Sequence, residues 1–120
     1  MSGNTFTVTL PLTGEYLTTV RLTTGGLCAL AGFDVDKTED FKVCVTESLL
    51  IIKRNGFACA EMTFTVGETL ACAVVGAEKI GTAEPSLEDE ISHALLSALV
   101  ERVEFVKEAD GRVEKIIFEG

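Results

Sequence analysis

Glu47 is the residue whose surroundings most call for chemistry. It stands in the run Phe41-Lys-Val-Cys-Val-Thr-Glu-Ser-Leu-Leu-Ile-Ile52, which is apolar nearly all round. A lone carboxylate is expensive to bury. It must meet a lysine, an arginine or a backbone donor, keep part of its surface in water, or act as a general base. Thr46 and Ser48 beside it are nucleophile types, but no His or Lys base accompanies them in sequence. Cys28, Cys44, Cys59 and Cys72 are spaced 16, 15 and 13 residues apart, with no CxxC pair, and His93 is the one histidine. That set suggests neither a zinc site nor a dithiol redox pair, so no metal site is expected. Each cysteine sits among Ala, Val and Leu and reads as a reduced, buried, small hydrophobe, which places the chain in the cytoplasm.

The elements that must carry these residues follow from periodicity. Thr5–Leu12 alternates threonine with Phe6, Val8 and Leu10 and reads as a half-buried strand ending near Pro11. Thr13 is the expected N-cap of a first helix with Leu17, Val20, Leu27 and Ala31 at helical spacing, closed by Gly32. Gly25-Gly26 inside it predicts close approach of a neighbouring backbone. A second helix is predicted from about Lys37 to Arg54, started by Asp36 with Glu39. It ends at Asn55-Gly56, with Lys53-Arg54 complementing its dipole rather than forming an anion site. Phe57–Val66 and Thr69–Val75 read as a hairpin, the second strand apolar on both faces and hence central. Gly76–Pro85 reads as a loop. Ser86 is the expected cap of a third helix, with Asp89 completing a capping box. Its expected buried stripe is Leu87, Ile91, Ala94, Leu95 and Ala98, with His93 exposed off that stripe. Val100–Glu108 and Arg112–Glu119 form a last hairpin around Ala109-Asp110-Gly111. The order is β-α-α-β-β-α-β-β. It predicts an α+β two-layer sandwich: a mixed, mostly antiparallel sheet of about five strands with three helices on one face.

Composition bounds the rest. The 120 residues make one domain, 1–120, and a hydrophobic content of 47% excludes disorder. The net charge of -9 argues against nucleic acid and against an anionic membrane surface. No stretch approaches the roughly 18 apolar residues of a membrane span, and MSGNTFTVTLPL lacks the basic and apolar regions of a signal peptide. The charge is uneven. Residues 1–60 carry 5 basic and 6 acidic side chains, whereas 61–120 carry 5 basic and 13 acidic. A solvated acidic face, or a docking face for a basic partner, follows.

The segment LPLTGEYLTTVRLTTGGLCALAGFDVDKTEDFKVCVTESLLIIKRNGF resembles the opening of the anti-sigma-factor serine kinases of the GHKL (histidine-kinase-like) ATPase superfamily. Val20-Arg21 match that family's first-helix pair, and Val45-Thr46-Glu47-Ser48 match the start of its second-helix pattern, close to V-x-E-A-x-x-N. The likeness covers about residues 5–57 and implies the histidine-kinase-like ATPase fold. It also implies Glu47 as the base position, a sigma-factor contact at Arg21 with Val20, and a Mg²⁺-holding residue four positions after Glu47. That position is Ile51, which has no oxygen for a hard cation. The family's D-x-G-x-G has no aspartate here, because the strand runs Val74-Val75-Gly76-Ala77-Glu78-Lys79-Ile80-Gly81, with Gly76 and Gly81 at the wrong spacing. The stretch Thr82–Glu90 has four acids and no glycine where a phosphate loop is expected.

The expectation is therefore a degenerate anti-sigma-type domain, without cofactor, that regulates by binding a protein such as a sigma factor or its antagonist. A vestigial pocket is expected at Glu47, Ile51, Val75, Gly76 and Gly81. Two alternatives remain at this level. One is a divergent ATP- and Mg²⁺-dependent protein-serine kinase. The other is a small-molecule sensor using an emptied pocket near Ile51, Met62 and Val74. A homodimer is open under each.

Overall fold

A computed structural model describes residues 4–82 and 87–120. Its elements run β1 (Asn4–Pro11), α1 (Gly14–Leu30), α2 (Val35–Arg54), β2 (Phe57–Val66), β3 (Leu70–Lys79), α3 (Leu87–Leu99), β4 (Arg102–Lys107) and β5 (Val113–Glu119). The strands form one five-stranded sheet in the order β1-β2-β3-β5-β4. The α+β class and the element order are as expected. The sheet is not mixed: all four described pairings are antiparallel.

Alternation along each strand sends one set of side chains to the helices. Leu10, Ala60, Met62, Phe64, Leu70, Cys72, Val74, Ile116 and Phe118 join Val20, Leu27, Phe41, Val45, Leu49, Ile52 and Leu96 in one core. Among the described residues no helix covers the other face of the sheet. β3 is central, but apolar burial on both its faces does not occur: Val74 is fully buried whereas Val75 is 37% exposed. β3 also continues past the expected loop start at Gly76, which pairs with Ala60 inside the strand. The Phe57 ring fills the space above Gly76, so a Cβ there would come within 2.6 Å of it.

Helix starts follow side-chain capping more closely than charge pattern. Asp34, not Asp36, caps α2, its Oδ1 accepting from the Lys37 amide at 2.8 Å. Phe33 fixes this entry by packing edge-on against Phe41, with ring centroids 5.8 Å apart. Thr13 occupies the N-cap of α1, but its hydroxyl donates to the Glu15 carboxylate rather than capping an amide. The cap assigned to Ser86 lies outside the described residues. The backbone approach expected at Gly25-Gly26 is absent: a Cβ at Gly25 would meet only the Lys42 side chain, and one at Gly26 would meet nothing within 4 Å. Gly26→Ala is therefore expected to stabilise the fold by about 0.5–1 kcal/mol, read as a raised urea midpoint at unchanged slope.

α2 packs against both α1 and α3 and lies across β2, β3 and β5. Asn55 fixes its end. The side-chain Nδ2 donates to the Ile51 carbonyl at 2.8 Å, and Oδ1 accepts from the Val113 amide at 3.0 Å. This buried amide ties the C-terminus of α2 to the first residue of β5.

Candidate functional site

The polar centre of the molecule is the contact between α2 and α3. Ser92, 2% exposed, donates its hydroxyl proton to Glu47 Oε1 at 2.7 Å and accepts from Arg54 Nη2 at 2.6 Å. Arg54 Nε donates to Asp89 Oδ1, and Glu88 stands 3.9 Å from Nη1. Glu47 and Arg54 lie seven residues apart, two turns along one face of α2, and Ser92 and Asp89 one turn apart on α3. The four side chains form a clasp in which one cation, Arg54, serves two carboxylates, Asp89 directly and Glu47 through the Ser92 hydroxyl. The partner that Glu47 required is thus a serine hydroxyl, itself held by an arginine two helical turns on. Apolar patterning could not reveal this, because Ser92 lies 45 residues away and serine carries no charge signal.

The clasp sets the rotation of α3. Ser92 and Leu96 are buried, while Leu87, Ile91 and Leu95 are 70%, 52% and 36% exposed, and Ala94 and Ala98 are exposed as well. The stripe expected to face the core therefore faces solvent. His93 is half-buried and stacks on Phe105 of β4 at 4.1 Å instead of lying free. Burial lowers its pKa, against the opposing pull of Asp89.

The five residues of the expected pocket are divided among separate environments. Glu47 is in the clasp. Ile51 has no exposed surface and belongs to the core. Val75 is on the uncovered face of the sheet, Gly76 lies under Phe57, and Gly81 is against Gly56, to whose carbonyl its amide donates at 3.3 Å. These residues do not fit a magnesium nucleotide: the position that would hold the ion is a buried hydrocarbon, and Glu47 is occupied by Ser92. Among the described residues no group of three or more His, Cys, Asp or Glu is placed to hold a metal ion. Met62 and Val74, like Ile51, are fully buried in the core. A groove of about 570 Å³ lies elsewhere, at the β4–β5 edge, lined by Ala71, Arg102, Glu104, Ile117 and Glu119 among others. Of the pair matched on α1, Arg21 is exposed, but Val20 is 4% exposed and packs in the core.

Arg112 is a second feature that sequence pattern missed. It is 8% exposed, its guanidinium 5.5 Å from the centre of the Phe57 ring and its Nε 3.4 Å from Asp110 Oδ2. Neither Nε nor Nη1 makes a hydrogen bond among the described residues. The β4–β5 turn, with Gly111 at φ 88°, brings this side chain back over the end of α2.

Three of the four cysteines are buried as expected, and Cys59 is half-buried. Burial pushes the Cys28 thiol up to about 11 and Cys44 up to about 12, the latter helped by Asp40 and Glu47. Burial also raises Cys72. Partial burial and the Glu78 carboxylate, which accepts its S–H at 3.5 Å, raise Cys59. Since the thiolate is the reactive form, native protein at pH 7 is expected to label slowly with iodoacetamide, at Cys59 alone, and at all four thiols in urea. Peptide mass spectrometry reads the sites.

No protein-family model matches this chain, and no curated protein matches it. Among the described residues no helix is long and apolar enough to cross a membrane.

Proposed function

We propose that this chain is a cytoplasmic regulatory domain of the anti-sigma type, with the histidine-kinase-like fold, that acts by binding a protein and no longer binds nucleotide. The α2–α3 clasp is the observation that carries this reading. Where the resemblance implies a free base and a metal ligand, Glu47 is held by Ser92, whose hydroxyl is in turn held by Arg54, and Ile51 is sealed in the core. Glu47 Oε1 accepts from a hydroxyl that Arg54 fixes in place, which orients this carboxylate towards α3 rather than towards the Ile51 position. Arg21, exposed on α1, is the side chain of the matched pair that remains available to a partner.

Calorimetric titration with ATP and Mg²⁺ tests the loss of nucleotide binding. The expected result is no heat of binding at millimolar ligand, and micromolar binding would overturn the reading in favour of a divergent kinase. Partner binding is tested by capture on the immobilised chain. A sigma factor or a sigma-factor antagonist is expected to be retained, and Arg21→Glu to weaken it. Retention of neither would count against the anti-sigma assignment.

A further inference from the structure

The outer flank of α3 is apolar without being covered. Leu87, Ile91 and Leu95 recur every four residues and are 70%, 52% and 36% exposed, with the exposed Ala94 and Ala98 between and beyond them. Helical geometry puts all five on one side of the helix. A contiguous exposed apolar patch rimmed by polar residues marks an interaction site. The clasp holds it outward, because Ser92 and Asp89 are tied to α2 on another side of the same helix.

The charge around the stripe selects the occupant. Glu88 and Glu90 flank it, Glu88 with 79% of its side chain exposed, and Glu101 stands exposed just past the end of α3. Leu87–Leu99 contains no lysine or arginine. Among the described residues Glu88 has one distant ion pair, with Arg54, which Asp89 already engages. A second copy laid antiparallel on this face would bring the acids of one helix toward the other's last turn, which has no basic residue to receive them. Self-pairing thus adds apolar contact without charge complementarity.

We propose that the α3 flank is a docking face for an amphipathic helix with apolar residues four apart and lysine or arginine along its margins. This rests on reading the chain as a protein-binding domain, and it adds a surface distinct from Arg21 and the chemistry of what binds there. Apolar anchors would insert along Leu87, Ile91 and Leu95, and the basic margins would meet Glu88 and Glu90. Such packing of one amphipathic helix on another takes affinity from the apolar stripe and orientation and association rate from the charges.

The test uses the full chain and two synthetic peptides, a Leu/Lys amphipathic helix and a scrambled peptide of the same composition with no apolar face. Fluorescence anisotropy is expected to show the amphipathic peptide binding at least about tenfold tighter than the scrambled one, with amide chemical-shift changes centred on α3. Ile91→Ser with Leu95→Ser should abolish that difference at an unchanged melting temperature. Glu88→Lys with Glu90→Lys should move the preference to a Leu/Glu peptide. Equal affinity for the two Leu/Lys peptides, shift changes away from α3, or binding unaffected by the serine variants would overturn the proposal. So would a dimer in sedimentation that Ile91→Ser dissolves, since the occupant would then be a second copy. No sigma factor enters this test, so its failure leaves Arg21-dependent capture standing, and failure of that capture leaves the peptide result standing.

Discussion

Alanine at Gly56 is expected to destabilise the protein by about 2–5 kcal/mol, from two additive causes. Gly56 ends α2 at φ 88°, a conformation that costs an L-residue about 1–2 kcal/mol. A Cβ there would also stand 2.5 Å from the Gly81 carbonyl oxygen, 2.8 Å from its carbon and 3.1 Å from Arg112 Nη1. Forcing volume into such a space costs about 1–3 kcal/mol. Relief by movement is limited because the obstacle is backbone. The Gly56 carbonyl accepts from the amides of Ile80, at 2.8 Å, and Gly81, at 3.3 Å, so pushing the segments apart breaks the bonds that join the end of β3 to the end of α2. Gly81→Ala is the control: a Cβ at Gly81 would meet nothing within 4 Å, and a change within about 0.5 kcal/mol is expected. Urea unfolding measures both. A Gly56→Ala loss below about 1 kcal/mol would mean that the α2–β3 junction yields more readily than this packing implies.

Periodicity revealed where elements lie better than which way they face. β2 is where alternation and the Asn55-Gly56 stop put it, from Phe57 to Val66, because both its ends are local signals. α2 starts two residues before the expected Lys37, since an aspartate accepting its third amide decides the cap, and Asp34 and Asp36 are alike in sequence. β3 outruns its prediction because Gly76, read as the start of a loop, lies inside the strand and seats the Phe57 ring, a contact between residues 19 apart. α3 is the largest departure. Three large hydrophobes at helical spacing argue for burial, yet Ser92 is inside and they are not. A buried serine contributes little by itself. It becomes decisive only when Glu47 and Arg54 are already aligned on the facing helix, and that alignment belongs to the tertiary structure. The same holds for the candidate site. The resemblance assigns Glu47 a base position and Ile51 that of the metal ligand, but the network that holds Glu47 joins residues 35 to 45 apart, beyond the reach of any local pattern.

Arg54→Met should be the most destabilising change in the clasp, at about 2–3 kcal/mol. It removes the cation from Asp89 and the donor from Ser92 while keeping a long apolar stem. A fully buried pair broken this way costs about 3–5 kcal/mol, but the Arg54 and Asp89 side chains are 21% and 20% exposed, so water recovers part of the loss. Glu47→Gln should cost less, because an amide oxygen still accepts from Ser92. Ser92→Ala made in both backgrounds closes a double-mutant cycle with Arg54→Met, and a coupling of about 0.5–3 kcal/mol is expected for residues in one network. The network also predicts where the loss appears. α3 is fastened to α2 by these polar bonds and by few large side chains, Leu96 being its fully buried one, so loosening the clasp should lower amide-exchange protection in α3 ahead of β2 and β3. Uniform loss of protection across helix and sheet would instead show that α3 opens only with the whole domain. On the proposed reading Arg54→Met should bind no ATP either, because freeing the Ser92 hydroxyl leaves Ile51 in the core and supplies no oxygen for magnesium.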